Sequence, residues 1–431
     1  MKKNFASFAF GCRVNAAEKE EINRRLLSLG FNYSEDNPEI YLINTCAVTQ
    51  KAERETRQFI YQIRKKYPKA KIVITGCAAT AWIKKGLKIK GVDEMIDNKN
   101  KENIDKNFTD NKSIKTSGFQ NKKILSYSQL KSDKFLSSGR LLIKIQEGCQ
   151  RFCTYCIVPY LRGKPKSERI KNLVSKIKFY ENDIKEVILT AINTEAYGLD
   201  TGEKFTDLIK AIINETKIPR VGLGSINPWS VNDDFFDFYK KVLPDKRLVN
   251  FFHIPLQSGS NKILKLMKRG YTREEFMEKL NFLSRINPLA FIGTDIIVGF
   301  LEEDDHDFEE TFNFLRVSPI YNFHIFRFSK REGTAAFFMA KKLKEPAVEI
   351  KLKRARLLAD LSKIKYHKFL SKHIGKIFPA LFLQKRIKDY QKVLLDNQVQ
   401  AFIKTPKNRL GQIKFVKIEK IKNNELIGKL S

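Results

Sequence analysis

Residues 148–160 read Gly-Cys-Gln-Arg-Phe-Cys-Thr-Tyr-Cys-Ile-Val-Pro-Tyr, directly after an apolar run that ends at Ile145. Cys149, Cys153 and Cys156 stand there in a C-x3-C-x2-C spacing. No other stretch constrains the chain as strongly, because a short loop at a strand end can aim three thiolates at one point. Iron–sulfur clusters are held by cysteine thiolates, usually four. Three on one loop would leave one iron of a cubane cluster without a protein ligand, and an open metal position is where chemistry can happen. The x3 spacing, the aromatic Tyr155 before the last cysteine and the strand in front set the pattern apart from the C-x2-C pair of zinc ribbons and redox dithiols. A zinc site short of its fourth ligand and three buried apolar cysteines are the bland alternatives.

The chain has six cysteines, and the other three, Cys12, Cys46 and Cys77, are far apart in sequence. Each stands two or three residues past an apolar run, at 5–10, 40–43 and 72–74. Helix-periodic stretches lie between, at 18–29 with Ile22, Leu26 and Leu29 on one face, and at 49–66. Met95 and Ile96 suggest a fourth strand. Alternating strands and helices predict βαβ units and a parallel sheet over residues 1–97. Such sheets bind ligands outside the carboxyl ends of their strands. Cysteines distant in sequence can therefore converge on one edge and form a second three-thiolate site. The plain alternative is small residues in tight turns. Structural disulfides are disfavoured in a reducing cytosol, so metal binding is the better default for the set.

Residues 98–137 are rich in Lys, Asn, Ser and Asp and read as a polar linker. From 138 to 346 the strand-and-helix alternation resumes. Apolar runs at 141–145, 187–189, 221–223, 251–254, 291–298 and 323–326 each lead into polar or glycine residues, with helices such as 273–283 and 305–315 between them. That predicts about six β/α units, a partial barrel with fewer than the eight strands of a closed one. Residues 347–369 read as a basic connecting helix whose stripe of Leu357, Leu361 and Ile364 packs against the barrel. Short apolar runs at 378–383, 393–395, 399–403 and 413–418, with turn residues Pro406, Asn408 and Gly411, predict a small antiparallel barrel over 370–431.

Charge bears on the partner. Lys+Arg total 81 against 48 Asp+Glu, a net +33. Residues 370–431 hold 14 Lys+Arg and 4 Asp+Glu, a balance of +10. Phosphate neutralisation dominates nucleic-acid affinity, so this tail suits RNA. A solvated lysine surface is the alternative, since net charge identifies no site. No segment is long and apolar enough to span a bilayer, and the first residues show no secretory pattern. The expectation is a cytoplasmic protein that does not engage a membrane.

Several motifs now stand together: Gly11-Cys12-Arg13-Val14-Asn15, Asn44-Thr45-Cys46, Thr75-Gly76-Cys77, the Cys149 loop, the stretch 253–260 (His-Ile-Pro-Leu-Gln-Ser-Gly-Ser) and Met267-Lys268-Arg269-Gly270-Tyr271. Over nearly its whole length the chain resembles the radical S-adenosylmethionine methylthiotransferases. The resemblance implies two 4Fe–4S clusters. Cys149, Cys153 and Cys156 would hold the one whose free iron chelates S-adenosylmethionine. A one-electron reductant would drive cleavage of that cofactor to a radical that removes hydrogen from an unactivated carbon. Cys12, Cys46 and Cys77 would hold an auxiliary cluster that delivers methylated sulfur. The C-terminal barrel would be a TRAM domain, which binds RNA.

Tyr155, Asn193, Ser225, Gln257 and Ser258 are assigned contacts with S-adenosylmethionine, the last four because they follow barrel strands. A loop-closing hydrogen bond is the alternative for the last four. His253 reads as a packed histidine, and no general base is evident. The chain departs from the family twice. Its stretch Ser225-Ile226-Asn227-Pro228 lacks the usual acidic residue, and Gly299-Phe300-Leu301-Glu302-Glu303 stands where the pattern is Gly-Phe-Pro-Gly-Glu.

A basic tail would repel a basic ribosomal protein, the substrate of one relative. Among the RNA-directed groups, Gly11 to Asn15 most resembles the one that converts N6-threonylcarbamoyladenosine, beside the tRNA anticodon at position 37, to its 2-methylthio form. The rivals are the same chemistry on N6-isopentenyladenosine and a non-catalytic RNA-binding protein with structural metal sites. The sequence does not determine the oligomeric state.

Overall fold

A computed structural model of the chain describes residues 3–108 and 136–431. Its N-terminal unit is an all-parallel sheet in the order β2-β1-β3-β4-β5. The strands are β1 (Asn4–Ala9), β2 (Asn32–Tyr33), β3 (Ile40–Thr45), β4 (Lys71–Gly76) and β5 (Glu94–Met95). Helices α1 (Arg13–Ser28), α2 (Gln50–Lys66) and α3 (Cys77–Lys84) connect them. β3 is buried at every position, as a parallel strand covered on both faces should be. One face packs Tyr41, Ile43, Ile72 and Ile74 on α2 and α3, and the other packs Phe5, Leu42 and Val73 on α1. Thr49 caps α2 by accepting from the Ala52 amide at 3.1 Å, which satisfies a donor that a helix start leaves free.

The central unit carries six parallel strands in two sheets. The first sheet holds β6 (Arg140–Glu147), β8 (Glu186–Ala191) and β9 (Arg220–Leu223), with the short antiparallel β7 (Lys166–Ser167) at its edge. The second holds β10 (Phe251–His253), β11 (Phe291–Val298) and β12 (Asn322–Arg327). An isolated Val221–Leu248 bridge and the Ile226 N–H bond to His253 O, 2.9 Å, join the sheets at the seam between β9 and β10. Helices α4 (Val158–Arg162), α5 (Ile170–Tyr180), α6 (Phe205–Glu215), α7 (Asp233–Val242), α8 (Asn261–Leu266), α9 (Arg273–Ile286), α10 (Asp305–Val317) and α11 (Ala335–Met339) follow the strands. The six expected strands are therefore present, and one large apolar core lies between them and the helices. A last helix, α12 (Val348–Ser371), leads to a closed barrel in the order β13-β14-β15-β17-β16. Its strands are β13 (Ile377–Ile387), β14 (Tyr390–Leu395), β15 (Gln400–Lys404), β16 (Ile413–Lys422) and β17 (Glu425–Leu430). No helix among the described residues is long and apolar enough to cross a membrane.

Three expectations need correction. The linker does not begin at 98. Residues Lys101–Phe108 form a 3-10 helix, and Ile104 and Phe108 are buried beside Phe5, Leu26 and Ile96. Two apolar residues four apart fill one gap on the sheet, and the polar composition around them hid this. Lys101, which reads as a solvated lysine, is buried against Glu18. The rest of the linker expectation lies mostly on residues 109–135, outside those described.

The stripe on α12 is the second correction. Leu361 is buried, but Leu357 and Ile364 are exposed, and the buried face runs through Lys351, Arg354, Leu358, Leu361 and Phe369. Its charged members are ion-paired to Glu345, Glu303 and Asp305, so an apolar count picks the wrong face. The barrel is the third. It has a fifth strand, β17, and β15 pairs with β17 in parallel. The signal for β17 was the Asn423-Asn424 turn, both residues at positive φ, 50° and 60°, as a tight hairpin requires.

Candidate active site: two sets of three thiols

The first set forms at one edge of the N-terminal sheet. Cys12 follows β1 and is the N-cap of α1. Cys46 follows β3, and Cys77 opens α3 after β4. These three strands are neighbours with aligned ends, Ala9 opposite Asn44 and Thr45 opposite Gly76. Strand order and register thus bring together cysteines 31 to 65 residues apart. They are near enough for charge on one thiol to act on the next, since Cys12 feels Cys77 and Cys46 feels both. Gly11, at φ 82°, makes room, because a Cβ there would stand 2.5 Å from the Cys46 sulfur. Cys46 and Cys77 are buried and Cys12 is exposed. Burial pushes the Cys46 thiol up to about 12.

The second set is the loop after β6. Gly148 turns the chain at φ 77°, and Phe152, between the first two cysteines, also takes a left-handed φ of 46°. Backbone bonds pin the loop: Cys149 N to Gly163 O at 3.1 Å, Thr154 N to Met267 O at 3.1 Å and Ala336 N to Thr154 O at 2.7 Å. Cys149, Cys153 and Cys156 act on one another electrostatically in the same way. Burial pushes the Cys156 thiol up to about 12.

His253, Asp295 and His324 are the one group among the described residues with ligand atoms all within 4.8 Å of one another. Two sulfurs on one zinc are at most about 4.6 Å apart, twice the Zn–S bond, whereas in an iron–sulfur cluster each cysteine would hold a different iron. Neutral thiols must lose protons to bind metal, and a coordinating thiol is deprotonated outright. Three soft donors per set, with no seventh cysteine in the chain, leave a fourth cluster corner free of thiolate.

Each set also has a buried arginine that spacing alone does not single out. Arg162, whose side chain has no solvent exposure, points Nε at the Cys77 sulfur at 3.4 Å. It also donates to Glu18, Glu147 and Asn15 at 2.7–3.2 Å. Arg269 points Nη1 at the Cys153 sulfur at 3.4 Å and also reaches the Tyr155 hydroxyl and Pro255 O. Hydrogen bonds to cluster sulfurs tune reduction potential. Arg269 lies in the Met267–Tyr271 motif. Arg162, six residues beyond Cys156, carries no spacing signal. The guanidiniums of Arg151 and Arg269 both lie over the Trp229 ring, 4.3 and 4.6 Å from its centre.

The other predicted positions divide. Tyr155 packs its ring edge on Phe300. Asn193 is buried after β8. Its Oδ1 accepts from Glu195 N, while Nδ2 is buried without a bond of good geometry and bears on the Cys149 thiol. A buried amide donor beside one of the loop thiols fits a site built for a polar cofactor. Gln257, at φ 77°, is tied through its backbone to Asp295 and Ile297. The Ser225 hydroxyl donates to His253 O at 3.3 Å. The Ser258 hydroxyl bonds Thr311 and the Ser260 amide in the interior. Asn227, at the first departure from the family, accepts from Thr194 N at 3.0 Å and closes its loop. At the second, Glu302 takes φ 58° where the pattern has glycine. Glu303 accepts from Gly299 N at 2.8 Å and pairs with buried Arg354 at 2.7 Å.

Comparison with known proteins agrees with this geometry. The model of the Radical SAM superfamily matches residues 143–315, and that of Uncharacterized protein family UPF0004 matches 4–97. A threonylcarbamoyladenosine tRNA methylthiotransferase MtaB of Aquifex aeolicus is 35% identical, covering 87% of this chain and 91% of that protein. Its counterpart in Bacillus subtilis is 30% identical over 96% and 93%. A tRNA-2-methylthio-N(6)-dimethylallyladenosine synthase of Fervidobacterium nodosum is 29% identical over 98% of each chain. The radical SAM match implies a 4Fe–4S cluster and S-adenosylmethionine. By its paired thiol sets and by this similarity along most of its length, the chain belongs to the radical S-adenosylmethionine methylthiotransferase family.

Proposed function

We propose that this protein adds a methylthio group to C2 of N6-threonylcarbamoyladenosine at position 37 of tRNA. Cys149, Cys153 and Cys156 would hold the cluster that binds S-adenosylmethionine, and Cys12, Cys46 and Cys77 a second 4Fe–4S cluster. When bound, these groups supply reductive cleavage of S-adenosylmethionine and a sulfur donor. The observation that carries the reading is the pair of thiol sets, each given a buried arginine. A radical enzyme without sulfur transfer needs only the loop set.

The chain's own residues have defined tasks. Arg162 and Arg269 face sulfur with positive charge in buried surroundings, where thiolate charge needs compensation. Asn193 turns its buried amide toward the Cys149 thiol of the loop set. Arg13, next to Cys12, donates to Gly224 O at 3.2 Å and lies 5.8 Å over the Phe251 ring, so it ties the first set to the barrel. The basic C-terminal barrel supplies phosphate contacts to the anticodon stem-loop, and a one-electron donor completes the system. The tRNA substrate of the proposed reaction supports a cytoplasmic location.

The relatives named for threonylcarbamoyladenosine support this substrate. The full-length match to a dimethylallyladenosine enzyme keeps the isopentenyl nucleoside as a second reading. Nucleoside analysis of tRNA from a strain lacking the gene separates them. The 2-methylthio threonylcarbamoyl nucleoside should vanish, and its persistence at the normal level would end the assignment. Anaerobic reconstitution should load about eight irons, two 4Fe–4S clusters, and release 5′-deoxyadenosine. Iron without that product would favour a binding protein.

A further inference from the structure

His253, Asp295 and His324 form a polar triad on neighbouring strands, and the proposed chemistry leaves it without a task. His253 Nε2 bonds Asp295 Oδ1 at 2.8 Å, and His324 Nδ1 approaches the same oxygen at 3.3 Å. The two imidazole rings lie 4.7 Å apart and tilted by 31°. The arrangement is built by strand register. Asp295 pairs with His324, and His253 pairs with Gly293. A Cβ at position 293 would come within 3.1 Å of His253 Nδ1, so glycine there leaves room for the ring that leans on Asp295.

Period-two alternation fixes which way the triad faces. Ile292, Ile296 and Val298 of β11 pack in the main core with Phe252 and Phe323. Gly293, Asp295 and Ile297 therefore face the opposite side, with His253 and His324. Toward one end of that side, Phe251 carries the guanidinium of Arg13, the residue after Cys12. Toward the other, Ile297 packs in a cluster with Tyr155, the residue before Cys156. The triad thus shares its face of the sheet with residues that contact neighbours of both thiol sets.

Exposure grades outward. The side chains of His253, Asp295 and His324 are 9, 24 and 56% exposed. Asp295 Oδ2 and His324 Nε2 make no hydrogen bond among the described residues. Burial raises the Asp295 carboxyl, but His253 and His324 together hold it below the usual range, so it is an anionic acceptor. An anion on this face repels phosphate and attracts a hydrogen-bond donor, and the N6–H on the base edge of the target nucleotide is such a donor.

Resting on the proposed tRNA methylthiotransferase function, we infer that Asp295 accepts a hydrogen bond from the exocyclic N6–H of the target adenine, with His324 beside the base and His253 as a positioning residue. The test uses the anaerobically reconstituted full chain and two synthetic anticodon stem-loops. One carries N6-threonylcarbamoyladenosine. The other is the same RNA methylated on N6, which lacks the donor. Asp295→Ala and Asp295→Asn are compared with wild type, and iron content and circular dichroism establish folding. Wild type should prefer the N–H stem-loop by about tenfold or more in kcat/KM, as a hydrogen bond to a charged group allows. Asp295→Ala should lose that preference, raise the RNA KM and form less methylthio product per 5′-deoxyadenosine released. If Asp295→Ala does not fold, Asp295→Asn and the exposed His324→Ala carry the comparison. An unchanged preference and coupling ratio in folded variants would overturn the inference, as would stoichiometric zinc retained at the triad after chelation. Wild type inactive on every adenosine tested would instead end the functional reading, and this inference with it.

Discussion

Replacing Glu18 with Gln tests the joint between the N-terminal sheet and the barrel. Glu18 lies on α1, buried to 5% exposure. Its carboxylate accepts from Lys101 at 2.7 Å, Arg162 at 2.8 and 3.2 Å, Lys144 at 3.2 Å and Asn44 at 3.2 Å. Lys144 and Arg162 come from the barrel side, and they share a second carboxylate, Glu147. The network thus sets three cations against two carboxylates. The substitution keeps the shape and leaves three cations with one carboxylate, and Lys101 with none. Removing one partner of a buried ion pair costs about 3–5 kcal/mol, and that is the expected loss. Urea unfolding of the cluster-free chain measures it, followed at Trp82, which is buried in the N-terminal unit.

The pH dependence supplies a second readout of the same group. Burial alone raises the Glu18 carboxyl, but Arg162, Lys101 and Lys144 hold it well below its ordinary 4.5. A depressed carboxylate contributes stability that is complete above the unfolded pKa and lost as pH falls toward the folded one. Wild type should therefore lose stability below about pH 4.5 through this group, and Glu18→Gln should flatten that part of the profile. A loss under about 1 kcal/mol, the value of an exposed pair, with an unchanged acid limb would refute the reasoning.

Other expectations follow from single contacts. Gly11→Ala places a methyl 2.5 Å from the Cys46 sulfur at a φ of 82°, so reconstitution should yield about four irons, the content of one 4Fe–4S cluster, while the loop set still binds S-adenosylmethionine. Iron analysis and electron paramagnetic resonance check this. His373 is buried where α12 meets the barrel, and burial lowers it to about 4 from 6.5. Its neutral form favours the fold, so stability should fall between pH 6.5 and 4 by about 3 kcal/mol, at 1.36 kcal/mol per pKa unit. His373→Gln should remove that slope in pH-dependent urea unfolding. Lys414, Lys417 and Lys420 stand exposed on β16 beside exposed Phe415. Replacing them with Gln should lower the salt slope of stem-loop binding by about 0.7–0.9 for each phosphate that is no longer neutralised, measured by fluorescence anisotropy at several salt concentrations.

Local pattern determined much of this protein. Strands in parallel α/β units are short apolar runs with turn residues after them, so ten of them across the two α/β units, and the cysteines beyond three, were legible from spacing. The loop of Cys149, Cys153 and Cys156 needed no tertiary information, because one short segment supplies all three thiols. What chain order could not decide was which distant groups meet. Arg162 finds Cys77 because a helix that leaves one site docks on the edge of the other. Lys101 is buried because Glu18 and two apolar residues hold its short helix on the sheet. The face of α12 is chosen by ion pairs to the barrel, which outweigh an apolar stripe. Asp295, His253 and His324 become one group only through the register of three strands. Hydrophobic periodicity records what each segment buries, whereas partners for buried charge are assigned across segments, and only the assembled fold contains that information.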